Sequence, residues 1–184
     1  MWTFTNWIGY SFTSVYIVVK FKGRLKEEEN LGLWRTCFEK DRDRIIHSHS
    51  YRRLREKAQV HILPKEQNLT TRLIHTEEVY QIADAVCIFL KLNKTLAEAI
   101  ARGHDLGHTP YGHIRESELT KIMKRYFNDN TYEFDHAKYG LNVVDRFERN
   151  DRGLNLIREV RDGILNHFLG GKRLRNAQVK PVTP

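Results

Sequence analysis

The stretch that decides the fold and chemistry of this chain is residues 103–116, which read Gly-His-Asp-Leu-Gly-His-Thr-Pro-Tyr-Gly-His-Ile-Arg-Glu. It holds three histidines and two carboxylates, with three glycines and one proline between them. These polar side chains therefore lie on short, turned pieces of backbone rather than on one long helix. A packed core rarely tolerates so many polar groups. The stretch predicts a site that binds a metal or moves protons; the alternative is a structural helix junction whose histidines are satisfied by hydrogen bonds.

The residues before this stretch show the spacing of a helix. Apolar side chains recur over 76–90, on one broad face. We expect that face to pack on the core, while His75, at the start of the helix, faces a pocket. The members of the face are Val79, Ile82, Ala83, Val86, Phe89 and Leu90.

Two further helix starts are predicted around the stretch. Thr95 and Glu98 have the spacing of a capping box, which places a helix start at Thr95. Thr109-Pro110 is typical of an N-cap followed by proline at the first helical position, which predicts a short helix directly after the histidine cluster. On that helix, His113 and Glu116 are three residues apart and share a face.

The rest of the chain also favours helices. Amphipathic runs cover 134–147 and 156–168, and no sustained strand alternation follows residue 22. The predicted fold is all-α, a compact bundle of helices over 31–169. Residues 1–30 are predicted to be an N-terminal appendage and linker, and residues 170–184 a loose basic tail.

Composition narrows the class of protein. A length of 184 residues is typical of one domain. The formal net charge of +8 indicates an anionic partner such as a nucleotide, a nucleic acid or an acidic lipid. Two cysteines make no disulfide framework and favour a reducing compartment, so we predict a cytoplasmic protein.

Residues 1–19 carry no charge and are rich in aromatic and β-branched side chains. A secretory leader would begin with basic residues, whereas the first cation here is Lys20. Threonine, serine, asparagine and glycine interrupt the apolar run, which argues against a membrane helix. We interpret the segment as a packed appendage or a misplaced start, with a membrane anchor as the alternative.

A basic segment covers residues 40–57. Forked guanidinium groups bind polyphosphate well, and several must converge on one ligand because that ligand carries several charges. Apolar anchors within the segment favour this interpretation over a solvated helix face. The basic side chains are Arg42, Arg44, Arg52, Arg53, Arg55 and Lys57, with His47 and His49 between them.

An ordered series of motifs runs from about Asp41 to about His167. Its segments are Asp-Arg-Asp-Arg-Ile-Ile-His-Ser (41–48), Tyr-Arg-Arg-Leu (51–54), Gln-Val (59–60), Arg-Leu-Ile-His-Thr (72–76), Leu-Gly-His-Thr-Pro-Tyr-Gly-His (106–113) and Glu-Val-Arg-Asp-Gly-Ile-Leu-Asn-His (159–167). A His-Asp pair alone would be a weak signal, but this series resembles the HD-domain metal phosphohydrolases and, within them, the deoxyguanosine triphosphate triphosphohydrolase (dGTPase) family.

The resemblance implies a helical bundle and a set of metal ligands. Spacing alone predicts that His104 and His108, four residues apart, are a chelating pair. The family pattern instead implies His75, His104 and Asp105 as ligands. A shared metal requires the helix to end at the His-Asp pair, because adjacent residues on a regular helix point about 100° apart. The family also uses a fourth ligand, an aspartate on a later helix, which we do not find in this sequence.

The resemblance also implies a reaction, the hydrolysis of a deoxynucleoside triphosphate to deoxynucleoside and inorganic triphosphate. His113 would act as acid/base or nucleophile at the α-phosphorus, oriented by Glu116, and His136 would face the site. Three further positions match substrate-contacting positions of the family, namely Arg53, Gln59 and His108.

The implied cofactor is a divalent ion, Mn²⁺ or Mg²⁺ with Fe²⁺ as a third candidate, since imidazole and carboxylate together suit such ions. The family tends to form homo-oligomers, and nucleic acid is a further candidate partner through the basic surface. Two alternatives remain open: an HD-type nucleotidase or phosphodiesterase, and an inactive truncated fragment that binds nucleotide or nucleic acid.

Overall fold

The computed structural model describes residues 23–28, 34–59, 70–110 and 112–167, apart from the side chains of His113 and Ile114. Within these ranges the chain is helical, which confirms the predicted all-α class, and the one β contact there is an isolated bridge between Ala58 and Thr71. The predicted appendage, except residues 23–28, and the predicted tail lie outside the described residues. The helices are α1 (Cys37–Ile46), α2 (His49–Arg53), α3 (Arg72–Leu90), α4 (Lys94–Gly103), α5 (Gly112–Phe127), α6 (His136–Asn142) and α7 (Arg158–Asn166).

Helix α4 is the centre of the described bundle and packs against α1, α3 and α7. Its Ala99 is fully buried, as are Ile45 of α1 and Ile164 of α7. Gly103 permits the close approach at its end, since a Cβ there would lie 2.6 Å from Ile164 Cδ1. The end of α4, and with it the His-Asp pair, is therefore fixed by core packing on three sides.

The predicted helix over 76–90 is present as part of α3, but the prediction that its broad apolar face is packed was wrong for four of its six members. Ile82 is 66% exposed and Phe89 is 84% exposed, and Val86 and Leu90 are also exposed. The buried side chains of α3 are instead Arg72, Thr76 and Cys87. Helical spacing identifies an apolar face, but it does not show which neighbour covers that face. None of the described helices is both long and apolar enough to cross a membrane.

Both predicted helix starts near the histidine cluster were displaced. Helix α4 begins at Lys94 because Asn93 is the N-cap, with its side chain accepting from Leu96 N at 3.0 Å. Thr109 does not cap a helix at Pro110. Its hydroxyl donates to the carbonyl of Gly112, where α5 begins, and α5 is sixteen residues long rather than short.

The predicted amphipathic run 134–147 is α6 followed by one π-helical turn, Val143–Phe147. The chain then makes a left-handed turn in which Arg149, Asn150 and Asp151 all have φ between 54° and 60°. The side chain of Glu148, directly before this turn, is buried.

Gly107→Ala should destabilise the protein by about 3 kcal/mol or more, because the pocket for a methyl group does not exist. A Cβ at Gly107 would lie 2.1 Å from the carbonyl oxygen of His136 and 2.3 Å from the amide nitrogen of Gly140. Urea unfolding followed by circular dichroism measures the loss. Lys138→Ala, on the exposed side of α6, is the control, and equal midpoints for the two variants would contradict the packing described here.

Candidate metal and catalytic site

The His-Asp pair lies in a turn at the end of α4, with His104 as the C-cap. The Nδ1 atom of His104 is 2.6 Å from the carbonyl oxygen of Ala101. A carbonyl only accepts hydrogen bonds, so Nδ1 carries the hydrogen and the lone pair of His104 is on Nε2. Fixing the tautomer in this way is what metal-binding histidines require.

Three predicted ligands, His75, His104 and Asp105, come together in space. Their ligand atoms all lie within 4.8 Å of one another. His75 is on the first turn of α3, while the other two follow the end of α4. Two imidazoles and one carboxylate suit a first-row divalent ion better than Ca²⁺. His108, which spacing alone would pair with His104, is not in this group. The ligand roles stay predictions.

Arg72 is a site residue that sequence reasoning missed. Its side chain is buried, and its Nη1 donates to Asp105 Oδ2 at 2.8 Å. The other carboxylate oxygen, Oδ1, lies 3.4 Å from His104 Nε2 and 3.3 Å from His108 Nε2. Arg72 therefore holds one oxygen of Asp105 and leaves the other directed at the imidazoles. The signal was its position three residues before His75, on the same side of a helix.

Arg72→Met should destabilise the metal-free chain by about 3 kcal/mol, since it removes one partner of a buried ion pair. Burial raises the pKa of the Asp105 carboxyl, but the neighbouring His104, His108 and Arg72 outweigh this and lower it. Urea unfolding at neutral pH measures the loss. Lys121→Ala, which breaks an exposed pair with Glu118, is the matched control and should leave the midpoint nearly unchanged.

The ion pair of Arg72 and Asp105 should also make the free energy of unfolding depend on pH. A carboxyl whose pKa is lowered in the folded state stabilises that state above its unfolded pKa of about 4. This contribution is lost as the pH falls through the folded pKa. As the pH falls, the free energy of unfolding should therefore decrease more steeply in the parent chain than in Arg72→Met.

Glu116 organises a second group, which lies beside the first. His108 Nδ1 is 2.7 Å from Glu116 Oε1, and His136 Nδ1 is 3.3 Å from the same oxygen. The two imidazole rings are stacked, with centroids 3.8 Å apart. Burial raises the pKa of Glu116, but the hydrogen bonds from both histidines outweigh it and hold that pKa far below its usual range. Glu116 is thus a charged carboxylate at neutral pH that orients two histidines.

His108 connects the two groups. One ring nitrogen faces Glu116, and the other faces Asp105. Burial lowers the pKa of His108 against the opposing effect of both carboxylates. An imidazole that is neutral near pH 7 suits proton transfer better than one that is permanently charged.

His167 belongs to the site as well, although sequence reasoning quoted its motif without giving it a role. Its Nδ1 is 2.7 Å from the carbonyl oxygen of Ile164, and its Nε2 is 3.3 Å from His136 Nε2. Its ring also touches that of His104, with centroids 5.2 Å apart. Burial lowers the pKa of His167. The second group is thereby joined to the first at two places, through His108 and through His167.

Comparison with known proteins identifies the family of this site. Residues 72–181 match the model of the HD domain. The chain belongs to the HD-domain family. The predicted resemblance is therefore confirmed, and the metal-dependent phosphohydrolases are the class to which this HD domain is related.

The relatives carry more specific names. A deoxyguanosinetriphosphate triphosphohydrolase-like protein of Caldanaerobacter subterraneus subsp. tengcongensis is 50% identical over 151 residues, covering 82% of this chain and 42% of the relative. A protein of the same name from Desulfatibacillum aliphaticivorans is 44% identical, covering 82% of this chain and 41% of the relative. One from Clostridium perfringens is 46% identical, covering 78% and 39%. The chain thus spans about two-fifths of the length of these relatives.

The basic segment 40–57 divides into two parts. Arg42 pairs with Asp43 and Glu98, and Arg44 donates to the carbonyl oxygens of Leu154 and Asn155. These two arginines contribute to the fold through contacts within the chain.

The later part of the basic segment reaches the site. Lys57 Nζ donates to the carbonyl oxygen of His108 at 2.7 Å. Burial lowers the pKa of Lys57, and the positive charges of Arg53 and Arg72 lower it further. Gln59 contacts Arg72 through its backbone carbonyl rather than its side chain. The substrate roles of Arg53, Gln59 and His108 stay predictions.

The predicted catalytic residue His113 lies on the first turn of α5, three positions before Glu116. Its side chain is outside the described part of the structure. The predicted Glu116 and His136 are both buried and in contact with each other.

Proposed function

We propose that this HD domain hydrolyses deoxynucleoside triphosphates, in a metal-dependent reaction, to deoxynucleoside and inorganic triphosphate. The main observation behind the proposal is that two groups of side chains are in direct contact, namely His75, His104 and Asp105 in the first and His108, Glu116 and His136 in the second. One group offers the donors of a divalent ion, and the other holds two histidines against a charged carboxylate. The names of the relatives support the choice of substrate.

His75, His104 and Asp105 would hold the ion. When bound, the ion would stabilise negative charge on the oxygens of the attacked phosphate. The chain prepares the site for this. The Ala101 carbonyl fixes the tautomer of His104, and Arg72 fixes the orientation of Asp105. Contacts that hold such side chains in place lower the reorganisation needed in the transition state.

The proton transfers fall to the second group. Glu116 stays ionised and orients His136 and His108, so that each presents a defined nitrogen. His136 would supply or remove the proton at the scissile phosphate ester, and His113 would act as the acid/base or nucleophilic residue at the α-phosphorus. Positioned general acids and bases contribute roughly 10²- to 10⁴-fold in rate.

Two other functions compete with this one. Lys57 and the neighbouring Arg53 favour a substrate with several negative charges over a nucleoside monophosphate or a cyclic ester, the substrates of the nucleotidase and phosphodiesterase alternative. The net charge of +8 favours the third reading, a fragment that binds nucleotide or nucleic acid without turnover. Such binding would weaken steeply with salt concentration.

A substrate panel separates these functions. The chelator-treated chain is reloaded with Mn²⁺ and incubated with a deoxynucleoside triphosphate, its monophosphate and a cyclic dinucleotide. The proposal expects turnover of the triphosphate alone, abolished again by chelator. Turnover of the monophosphate or cyclic ester would replace the proposal with the second function. Salt-sensitive binding without turnover would replace it with the third.

A further inference from the structure

The left-handed turn after the π-helical turn is the most unusual backbone feature of the described chain. Arg149, Asn150 and Asp151 are three consecutive non-glycine residues with positive φ. Each such residue costs free energy, and runs of them persist only where surrounding contacts demand them. The turn directly follows Glu148, whose side chain is only 4% exposed.

The carboxylate of Glu148 lies on the first turn of α2. Its Oε2 accepts from His49 N at 3.0 Å, and its Oε1 accepts from Ser50 N at 2.8 Å. The same Oε1 accepts from the hydroxyl of Ser50. Burial raises the pKa of Glu148, but the hydrogen bonds from Ser50 and His49 outweigh it and lower that pKa. An ionised carboxylate, nearly a hundred residues away in sequence, therefore fixes the start of this short helix.

The hydroxyl of Ser50 has a single hydrogen, and that hydrogen is donated to Glu148. In any other hydrogen bond, the Ser50 oxygen must therefore be the acceptor. The partner is the guanidinium of Arg53, whose Nη2 is 3.4 Å from Ser50 Oγ. Arg53 in turn lies beside Lys57, which donates to the His108 carbonyl inside the site. Arg53 thus donates to Ser50, and Ser50 donates to Glu148.

We propose that Glu148 and Ser50 are positioning residues that hold Arg53 in the orientation in which it binds the phosphates of the substrate. The inference rests on the proposed function for the identity of the ligand. Neither residue touches the metal group, so their effect should reach the reaction only through Arg53.

The kinetic test is a double-mutant cycle on the Mn²⁺-loaded full chain. Ser50→Ala should raise KM for the deoxynucleoside triphosphate by about 2- to 10-fold, the value of one hydrogen bond, with kcat nearly unchanged. In an Arg53→Ala background the same substitution should have no further effect on KM. Ser50→Thr keeps the hydroxyl and should restore the parent KM. Additive effects of Ser50→Ala and Arg53→Ala would overturn the proposal.

A matched control separates positioning from loss of helix stability. Thr36→Ala removes the side chain that caps α1, in a capping box with Glu39, and has no contact with Arg53. It should lower the unfolding midpoint about as much as Ser50→Ala and leave KM unchanged. A rise in KM for Thr36→Ala of the same size would reduce Ser50 to a structural role.

A second measurement needs no turnover. Arginine-labelled protein, free of ligand, gives the NMR order parameter of the Arg53 Nε–H bond. That order parameter should fall in Ser50→Ala and in Glu148→Gln, and it should stay at the parent value in Thr36→Ala. An unchanged value in Ser50→Ala would overturn the positioning role even if the enzyme is active. A fall together with an inactive parent chain would retain the positioning role and refute the proposed function instead.

Discussion

Asp105→Asn should remove the metal from the loaded chain. The substitution keeps the shape of the side chain but removes the one anionic ligand of the proposed set, and asparagine is a far weaker ligand for a divalent ion than a carboxylate. Loss of an outer-shell partner alone costs roughly 10- to 100-fold in metal affinity, so losing a direct ligand should cost more than about 100-fold. Elemental analysis after Mn²⁺ loading and dialysis measures the loss.

The control for this variant is Glu118→Gln, which neutralises a carboxylate on the exposed side of α5. It should keep the metal content of the parent chain. Circular dichroism must show that Asp105→Asn is folded, since Arg72 loses its partner in that variant. A folded Asp105→Asn protein with full metal occupancy would refute the ligand set.

Glu116→Gln should lower kcat by about 10³-fold, within the range for removing an acid–base partner, and leave the metal in place. Two histidines lose the carboxylate that orients them, whereas none of the three proposed ligands contacts Glu116 directly. The measurement is triphosphate release under saturating substrate, together with metal content on the same sample.

Two outcomes would contradict the role of Glu116. If the variant keeps the parent kcat, the second group does not take part in the reaction. If it loses its metal, the two groups cannot be treated as separate functions, and the loss of activity would follow from the empty site.

Much of the fold and part of the site could be predicted from the sequence because their signals are local. Glycine at 107 and the end of apolar spacing mark the end of α4, and this is what brings His104 and Asp105 into one turn. His75 joins them through α3, as the family pattern implied. The all-α class followed from helical periodicity alone.

The features that the sequence did not predict depend mostly on contacts between residues that are far apart in the sequence. The position of Arg72 three residues before His75 places it on the same side of the helix, but it does not show that the guanidinium is buried against Asp105, thirty-three positions later. The capping pattern at Thr95 was overridden by Asn93, because a side chain that reaches the Leu96 amide sets the start of the helix. The apolar face of α3 was assigned to the core because its spacing is correct, although Phe89 is largely exposed in the described chain.

The most direct test of the account is product analysis on the Mn²⁺-loaded chain with deoxyguanosine triphosphate, with metal content measured on the same sample. The account predicts about one metal per chain and equal amounts of deoxyguanosine and inorganic triphosphate. Release of pyrophosphate with the nucleoside monophosphate, or of phosphate with the diphosphate, would place the attack elsewhere and contradict it. A fully loaded chain that releases no product would contradict it as well.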